Sequence, residues 1–247
     1  MPESTQNIWS DPAGNWVGAQ QPERASTNRG QKRLVFILLS LLLVLAAFAC
    51  DTLVDRLVAV NPNCFEKIAA SGISRYCNLP FLFLYSAVLV LFSYLLNRPR
   101  WREMAVALVL ASCLSGIVCT SVRATTGRTR PCAKVPQGWY GVRHDSRWLV
   151  GRFEYNSFPS GHVATAAGFG GVLLFGSRRY RVKAAGILLI LLMAWSRVFL
   201  RCHHVSDVIV AGLVGVFLAY HTWYWLTPQI LGRVPGATGR RLPATNG

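Results

Sequence analysis

The chain has 247 residues, of which 52% are hydrophobic and only 15% charged, and its 26 lysines and arginines against 10 acidic residues give a formal net charge of +16. A soluble domain carries about 25% charged residues, so this composition excludes an ordinary soluble globule and points to a membrane. In a soluble protein such a charge would suggest nucleic acid; here the basic residues lie between apolar runs rather than along one face, which favours membrane topology and no nucleic-acid partner.

Residues 1–30 are polar and rich in Pro, Gly, Ser, Asn and Gln, which predicts a disordered cytoplasmic tail. This charged lead is too long for a cleaved signal peptide. Six apolar runs follow, at 34–53, 79–96, 104–122, 161–176, 184–200 and 205–226. A membrane span takes about 20 residues, with a range of about 17–25, and five runs meet it. The fourth is short and full of small residues: Ala164, Ala166, Ala167, Gly168, Gly170 and Gly171. Small residues let helices approach closely, so this run predicts a helix packed among the others. The expectation is an all-α polytopic membrane protein: six transmembrane helices within a domain at 31–228, then a cytoplasmic tail at 229–247.

Basic residues set the expected orientation. Arg24, Arg29, Lys32 and Arg33 precede the first run; Arg98, Arg100 and Arg102 follow the second; Arg178, Arg179, Arg181 and Lys183 follow the fourth; Arg233, Arg240 and Arg241 lie in the tail. Six spans place these four segments on one side, so both termini are expected in the cytoplasm. The connection 123–160 carries Trp139, Tyr140, Trp148, Phe153 and Tyr155, aromatics suited either to the membrane–water boundary or to shaping a headgroup site.

Three blocks stand at run ends: Arg123-x6-Arg130-Pro131, Pro159-Ser160-Gly161-His162, and Ser196-Arg197-x5-His203-x3-Asp207. Alternating span directions bring all three to one face, opposite the termini. Ser160 reads as an N-cap at a helix start whose free N–H groups suit an anion, and Gly161 lets a phosphate approach the backbone. His203 and Asp207 are four apart, which on a helix shares a face, and a carboxylate there fixes an imidazole tautomer. Arg123, Arg130 and Arg197 suit the charge of a phosphoryl group. His204 reads as a flanking residue, and Arg128, Arg143, Arg147, Arg152 and Arg201 are assigned no role, being expected in solvent or at headgroups.

These residues resemble the three-part signature of the type 2 phosphatidic acid phosphatase family, Lys-x6-Arg-Pro, Pro-Ser-Gly-His and Ser-Arg-x5-His-x3-Asp, in its six-span membrane branch. One position departs, since Arg123 stands where the family usually has lysine; arginine keeps the charge and adds a planar fork suited to phosphate. The resemblance implies a metal-independent lipid phosphatase without cofactor. In it His203 is the nucleophile that forms a phosphohistidine, Asp207 orients His203, and His162 protonates the leaving oxygen and then activates water. Arg123, Arg130, Ser160, Gly161 and Arg197 hold the phosphoryl oxygens. The implied substrates are a phospholipid such as phosphatidic acid or phosphatidylglycerol phosphate, lipid A, or a polyprenyl diphosphate such as undecaprenyl diphosphate. The implied setting is a bacterial inner membrane with the site facing the periplasm or outside.

Three rival readings share the residues. A phosphotransferase would pass the phosphate to a second lipid. A transporter or anion channel would use intramembrane arginines, but no repeat relates the halves of the sequence. The family's soluble haloperoxidase relatives bind vanadate, and six spans argue against that branch. Of the seven cysteines, Cys50, Cys113 and Cys119 lie in spans as packing residues. Cys64 and Cys77 share the first outer loop and are the disulfide candidate, with Cys132 and Cys202 as another pair. No Cys-x-x-Cys or His/Cys cluster suggests a metal.

Overall fold

The structure, a computed structural model, describes residues 23–59 and 64–231. Residues 1–22 and 232–247, most of the two expected tails, lie outside the described residues. By compactness the chain divides after Leu42, with residues up to Leu42 in one unit and those from Leu43 in the other; everything below concerns the second unit unless stated.

Helix α1 (Glu23–Ala59) begins inside the segment expected to be a tail. It is followed by α2 (Cys64–Tyr76), α3 (Leu79–Leu95), α4 (Pro99–Thr126), α5 (Gly161–Gly176), α6 (Tyr180–Phe199), α7 (Val205–His221), a π-helical turn at Thr222–Leu226 and the short α8 (Thr227–Ile230). Between α4 and α5 run a small antiparallel hairpin, Arg143–His144 against Arg147–Trp148, and a 3₁₀ turn at Phe153–Tyr155. Among the described residues, four segments are long and apolar enough to cross a membrane: Gly30–Val58, Pro99–Thr126, Tyr180–Phe199 and Val205–Ile230. The pair α2 and α3, bent by 57°, makes a fifth crossing if taken as one.

Helix α2 was not expected from the hydrophobic runs. The break after it has a local cause. Asn78 adopts an extended conformation and its side chain accepts the Leu79 N–H at 2.7 Å, with proline in the first turn. That is a fresh helix start, so the chain turns instead of continuing.

Helix α5 is the centre of the bundle, packed against α4, α6 and α7. Its 16 residues make about 24 Å at the usual rise, less than the ~30 Å hydrocarbon core. It has no lipid-facing stripe to match, since residues 163–172 are all buried. Small residues make this packing possible. A Cβ at Gly168 would lie 2.5 Å from the Ala111 carbonyl oxygen, and Gly170 and Gly186 each leave room for the other's carbonyl at the same distance. At the end of α4, Gly127 takes the left-handed C-cap conformation with φ 59°, and any side chain there would meet the main chain of Gly141. This turn releases the long connection towards α5. Beneath it lies a core of Cys119, Val163, Ala164, Ala166, Met193, Val208 and Ala211.

Candidate active site

The helix boundaries bring the three blocks together. Arg123 is in the last turn of α4, Arg197 is in the last turn of α6, Ser160 is the N-cap of α5, and Asp207 is in the first turn of α7. The loops are then bonded to one another. Ser160 N–H donates to the Asp207 carbonyl (3.2 Å), Ser157 N–H to Arg128 (3.1 Å), Cys132 N–H to Arg201 (3.1 Å), and His203 N–H to Arg197 (3.3 Å).

Three of the predicted phosphate ligands are buried, Arg123 and Gly161 are half-buried, and the set is partly unpartnered. Arg130 and Arg197 are each 7% exposed and Ser160 is fully buried. Arg197 donates Nη1–H to Ser74 of α2 at 2.7 Å. Arg130 donates Nη2–H to the Asn156 carbonyl at 3.2 Å, and its guanidinium lies 4.0 Å from the Phe153 ring centre. Arg123 donates Nη2–H to Thr120 at 3.3 Å, and its Nη1 would be 3.2 Å from a Cβ on Gly161. Ser160 occupies the N-cap position but makes no side-chain cap bond. Among the described residues, eight buried side-chain polar atoms lack a protein partner, and five of them belong to this set: Nε of Arg123, Arg130 and Arg197, Oγ of Ser160 and Nε2 of His203.

His203 is fully buried in the loop before α7, not on the helix as the spacing suggested. Its Nδ1 lies 2.8 Å from the Ser157 carbonyl oxygen and 3.6 Å from Asp207 Oδ2. A carbonyl can only accept, so Nδ1 carries the proton and the neutral ring presents its lone pair at Nε2. Asp207 receives the Ser157 hydroxyl at 2.5 Å, the His204 N–H at 2.9 Å and Arg128 Nη1 at 2.5 Å. Burial pushes the His203 pKa down to about 4 against the opposing pull of Asp207, and Arg197 and Arg130 add to the fall. Burial also lowers Arg130, which feels Arg197 and Arg123 as well. His162, on α5, lies within electrostatic reach of Arg197, His203, Arg123 and Arg130.

Two residues assigned no part by spacing are buried here. His204 is 6% exposed, with Nδ1 2.6 Å from Asp55 and Nε2 3.0 Å from the Thr129 carbonyl; it is a packed histidine between α1 and the loop, not a flanking one. Arg128, expected in solvent or at headgroups, is 7% exposed and paired with Asp207 and, at 2.6 Å, Asp51. Its guanidinium sits 4.8–5.9 Å from the ring centres of Trp139, Phe48 and Phe158. Thus Trp139 and Phe153 of the aromatic connection lie against buried arginines of this region, while Trp148, 66% exposed, meets only Arg143, 5.9 Å from its ring centre. The Cys64 side chain lies outside the described residues, while Cys77, its expected partner, carries a free thiol, as do Cys132 and Cys202. Among the described residues no group of three or more His, Cys, Asp or Glu side chains is arranged to hold a metal ion.

A cavity of ≈ 460 Å³ opens beside Arg123, Gly161 and His162 and continues along Leu79, Cys113 and Ile117. One wall is cationic and the rest is largely apolar.

The PAP2 superfamily model matches residues 104–230. Among solved structures, the first transmembrane PAP2 type phosphatidylglycerolphosphate phosphatase from Bacillus subtilis is 18% identical, with a TM-score of 0.57 over 76% of this chain and 92% of that one. Aquifex aeolicus LpxE is 20% identical, with a TM-score of 0.50 over 70% of this chain and 93% of that one. At these identities the likeness is one of fold. No curated protein matches the sequence.

Proposed function

Because the chain belongs to the PAP2 superfamily, we propose that it is a membrane lipid phosphatase. It hydrolyses a phosphate or diphosphate monoester of a lipid, without metal, through a phosphohistidine on His203. The observation that carries this reading is the set of unpartnered buried atoms on Arg123, Arg130, Arg197, Ser160 and His203. A buried polar group without a partner costs about 1–3 kcal/mol. A phosphoryl group offers oxygens to the arginine and serine donors and an electrophilic phosphorus to the imidazole lone pair.

The steps balance within the site. Nε2 of His203 attacks phosphorus in line; the P–N bond forms as the bond to the lipid oxygen breaks, and protonated His162 gives its proton to that oxygen. Neutral His162 then takes a proton from water, which attacks phosphorus and frees phosphate and His203. The Ser157 carbonyl holds the Nδ1 proton in place, and Asp207 lies close enough to favour the cationic ring. Arg123, Arg130, Arg197, Ser160 and the Gly161 N–H hold the equatorial oxygens. Splitting one displacement into two covalent steps lowers each barrier.

The apolar walls of the cavity beside Arg123 and His162 favour a substrate with a lipid tail. Candidate substrates are phosphatidylglycerol phosphate, phosphatidic acid, a lipid A phosphate and undecaprenyl diphosphate. Counting α5 and the α2–α3 pair as crossings gives six, with both termini in the cytoplasm of a bacterial inner membrane and the site on the opposite face. The test is phosphate release by the purified protein in detergent, from each of these lipids, with EDTA present. Release that survives chelation and disappears in His203→Ala and His162→Ala is expected. Release from no lipid, or a His203→Ala protein that turns over normally, would overturn the reading. Phosphate appearing on an added lipid alcohol, in place of free phosphate, would make it a phosphotransferase.

A further inference from the structure

Behind the Nδ1 edge of His203 lies a buried network that joins three parts of the chain. Arg128 Nη1 donates to Asp207 Oδ1 at 2.5 Å and to Ser206 Oγ at 2.6 Å, and its Nη2 donates to Asp51 Oδ2 at 2.6 Å. Asp51 in turn accepts the Ser206 N–H at 2.9 Å and the Ser206 hydroxyl at 2.6 Å. Side-chain exposure is 8% for Arg128, 10% for Asp51 and zero for Asp207. The rings of Phe48, Trp139 and Phe158 contact one another around the guanidinium. Charges so enclosed act on each other with little screening.

The geometry points to Arg128 and Asp51 as positioning residues for His203: Arg128 clamps Asp207 from the side opposite the imidazole, and Asp51 of α1 sets how tightly it does so. This rests on the reading of His203 as nucleophile. It also assigns a part in the reaction to α1, which lies outside the residues matched to the family. Asp51 and Asp55 are four apart on α1, and the second holds His204, the N-cap of α7, at 2.6 Å. One face of α1 therefore fixes both Arg128 and the residue beside the nucleophile.

The chemistry requires such a balance. Two carboxylates face one guanidinium. Attack by Nε2 puts positive charge on the ring, and Asp207, 3.6 Å from Nδ1, stabilises it. Arg128 bound to Asp207 alone would cancel that field; Asp51 draws part of the guanidinium away. The other charged and titratable groups facing His203 are Arg197 of α6, Arg130 of the connection and His162 of α5, and the variants below leave all three in place.

The experiment measures kcat, KM and the pH dependence of kcat/KM for phosphate release by full-length Asp51→Asn, Arg128→Met and Arg128→Lys in detergent. Wild type and His203→Ala run alongside. Asp51→Asn and Arg128→Met are each expected to lower kcat by about 10–100-fold, the size of effect known for partners that orient metal-bound histidines, with KM little changed. Removing Asp51 makes the surroundings of His203 more positive, so the acid limb moves to lower pH. Removing Arg128 does the reverse. Arg128→Lys keeps the charge and should leave the acid limb in place while recovering part of kcat. A merely structural clasp would lower the yield of folded protein and leave the acid limb unmoved, which overturns the assignment. If Arg128→Met does not fold, an unmoved limb in Asp51→Asn overturns it equally. Wild-type release abolished in His203→Ala keeps the catalytic reading intact through either failure; no wild-type release removes that reading and this one together.

Discussion

The Ser157 carbonyl oxygen lies 2.8 Å from Nδ1 of His203, closer than Asp207 Oδ2 at 3.6 Å. A main-chain group therefore fixes the tautomer, and the carboxylate acts on the ring by its field. Asp207→Asn should then lower kcat by about 100-fold, short of the ~10⁴ seen where the carboxylate alone holds the imidazole. Ser157→Ala keeps the carbonyl and should cost much less. Steady-state phosphate release, normalised to folded protein, checks both; equal losses in the two would refute this division of labour.

The pH profile follows from the burial of His203. With its pKa pushed down to about 4, the ring stays neutral and Nε2 nucleophilic at every pH above that value. The acid limb of kcat/KM should fall near pH 4, not near the ordinary histidine value of about 6.5. A limb between pH 6 and 7 in a profile from pH 3 to 9 would contradict the assignment of His203.

His204 predicts a different pH effect, on stability. Burial, the largest influence, opposes its charge and Arg128 adds to that, but the hydrogen bond to Asp55 together with the charges of Asp207 and Asp55 outweighs both and the pKa is raised. A raised histidine contributes stability that is fully present below its unfolded value, about 6.5, and lost as pH rises through the folded value. The Tm in detergent should decline over the alkaline side of pH 6.5. Asp55→Asn should flatten that decline; an unchanged slope would show that the pair does not couple protonation to folding.

Glycines in the bundle should divide by what surrounds them. Gly168→Ala forces a methyl to 2.5 Å from the Ala111 carbonyl oxygen and should destabilise by about 1–3 kcal/mol, as overpacking does. Gly212→Ala, on α7 with nothing within 4 Å of the added carbon, should be neutral or gain up to about 1 kcal/mol of helix propensity. Thermal unfolding of the two variants decides it, and a Gly212→Ala protein less stable than Gly168→Ala would contradict the packing described for α5.

Ser74 offers a test of α2. Its hydroxyl receives Nη1 of Arg197 at 2.7 Å, and hydrogen bonds to charged groups contribute about 1.5–3 kcal/mol. Ser74→Ala should lower kcat/KM by about tenfold, each 1.4 kcal/mol being a factor of ten. Substitution of exposed Tyr85 on α3 serves as control. Wild-type kinetics in Ser74→Ala would mean that Arg197 is held by other contacts.

Spacing alone placed Arg123, Ser160, Arg197 and Asp207 at run ends, because apolar runs end where helices do and short-range signals such as Gly127 and Pro159 mark those ends. It could not place Arg128, whose partners Asp51 and Asp207 are 77 and 79 residues away; nothing near Arg128 distinguishes it from an arginine at a headgroup. His204 failed for the same reason, its partner Asp55 being 149 residues distant. Ser157 was invisible in another way: the group that matters is its carbonyl, which every residue possesses. Helix α2 was missed because its apolar residues are interrupted by Glu66, Lys67 and Arg75, so it gives no continuous run.

At Gly170 and Gly186 the two helices leave no room for change: a carbon added to either one would lie 2.5 Å from the other's carbonyl oxygen. Neither residue has a side chain left to shrink, so enlargement of one cannot be offset at the other. The crossing of α5 and α6 is thus set by contact between the two main chains, and neither position accepts even a methyl group unless the helices move apart.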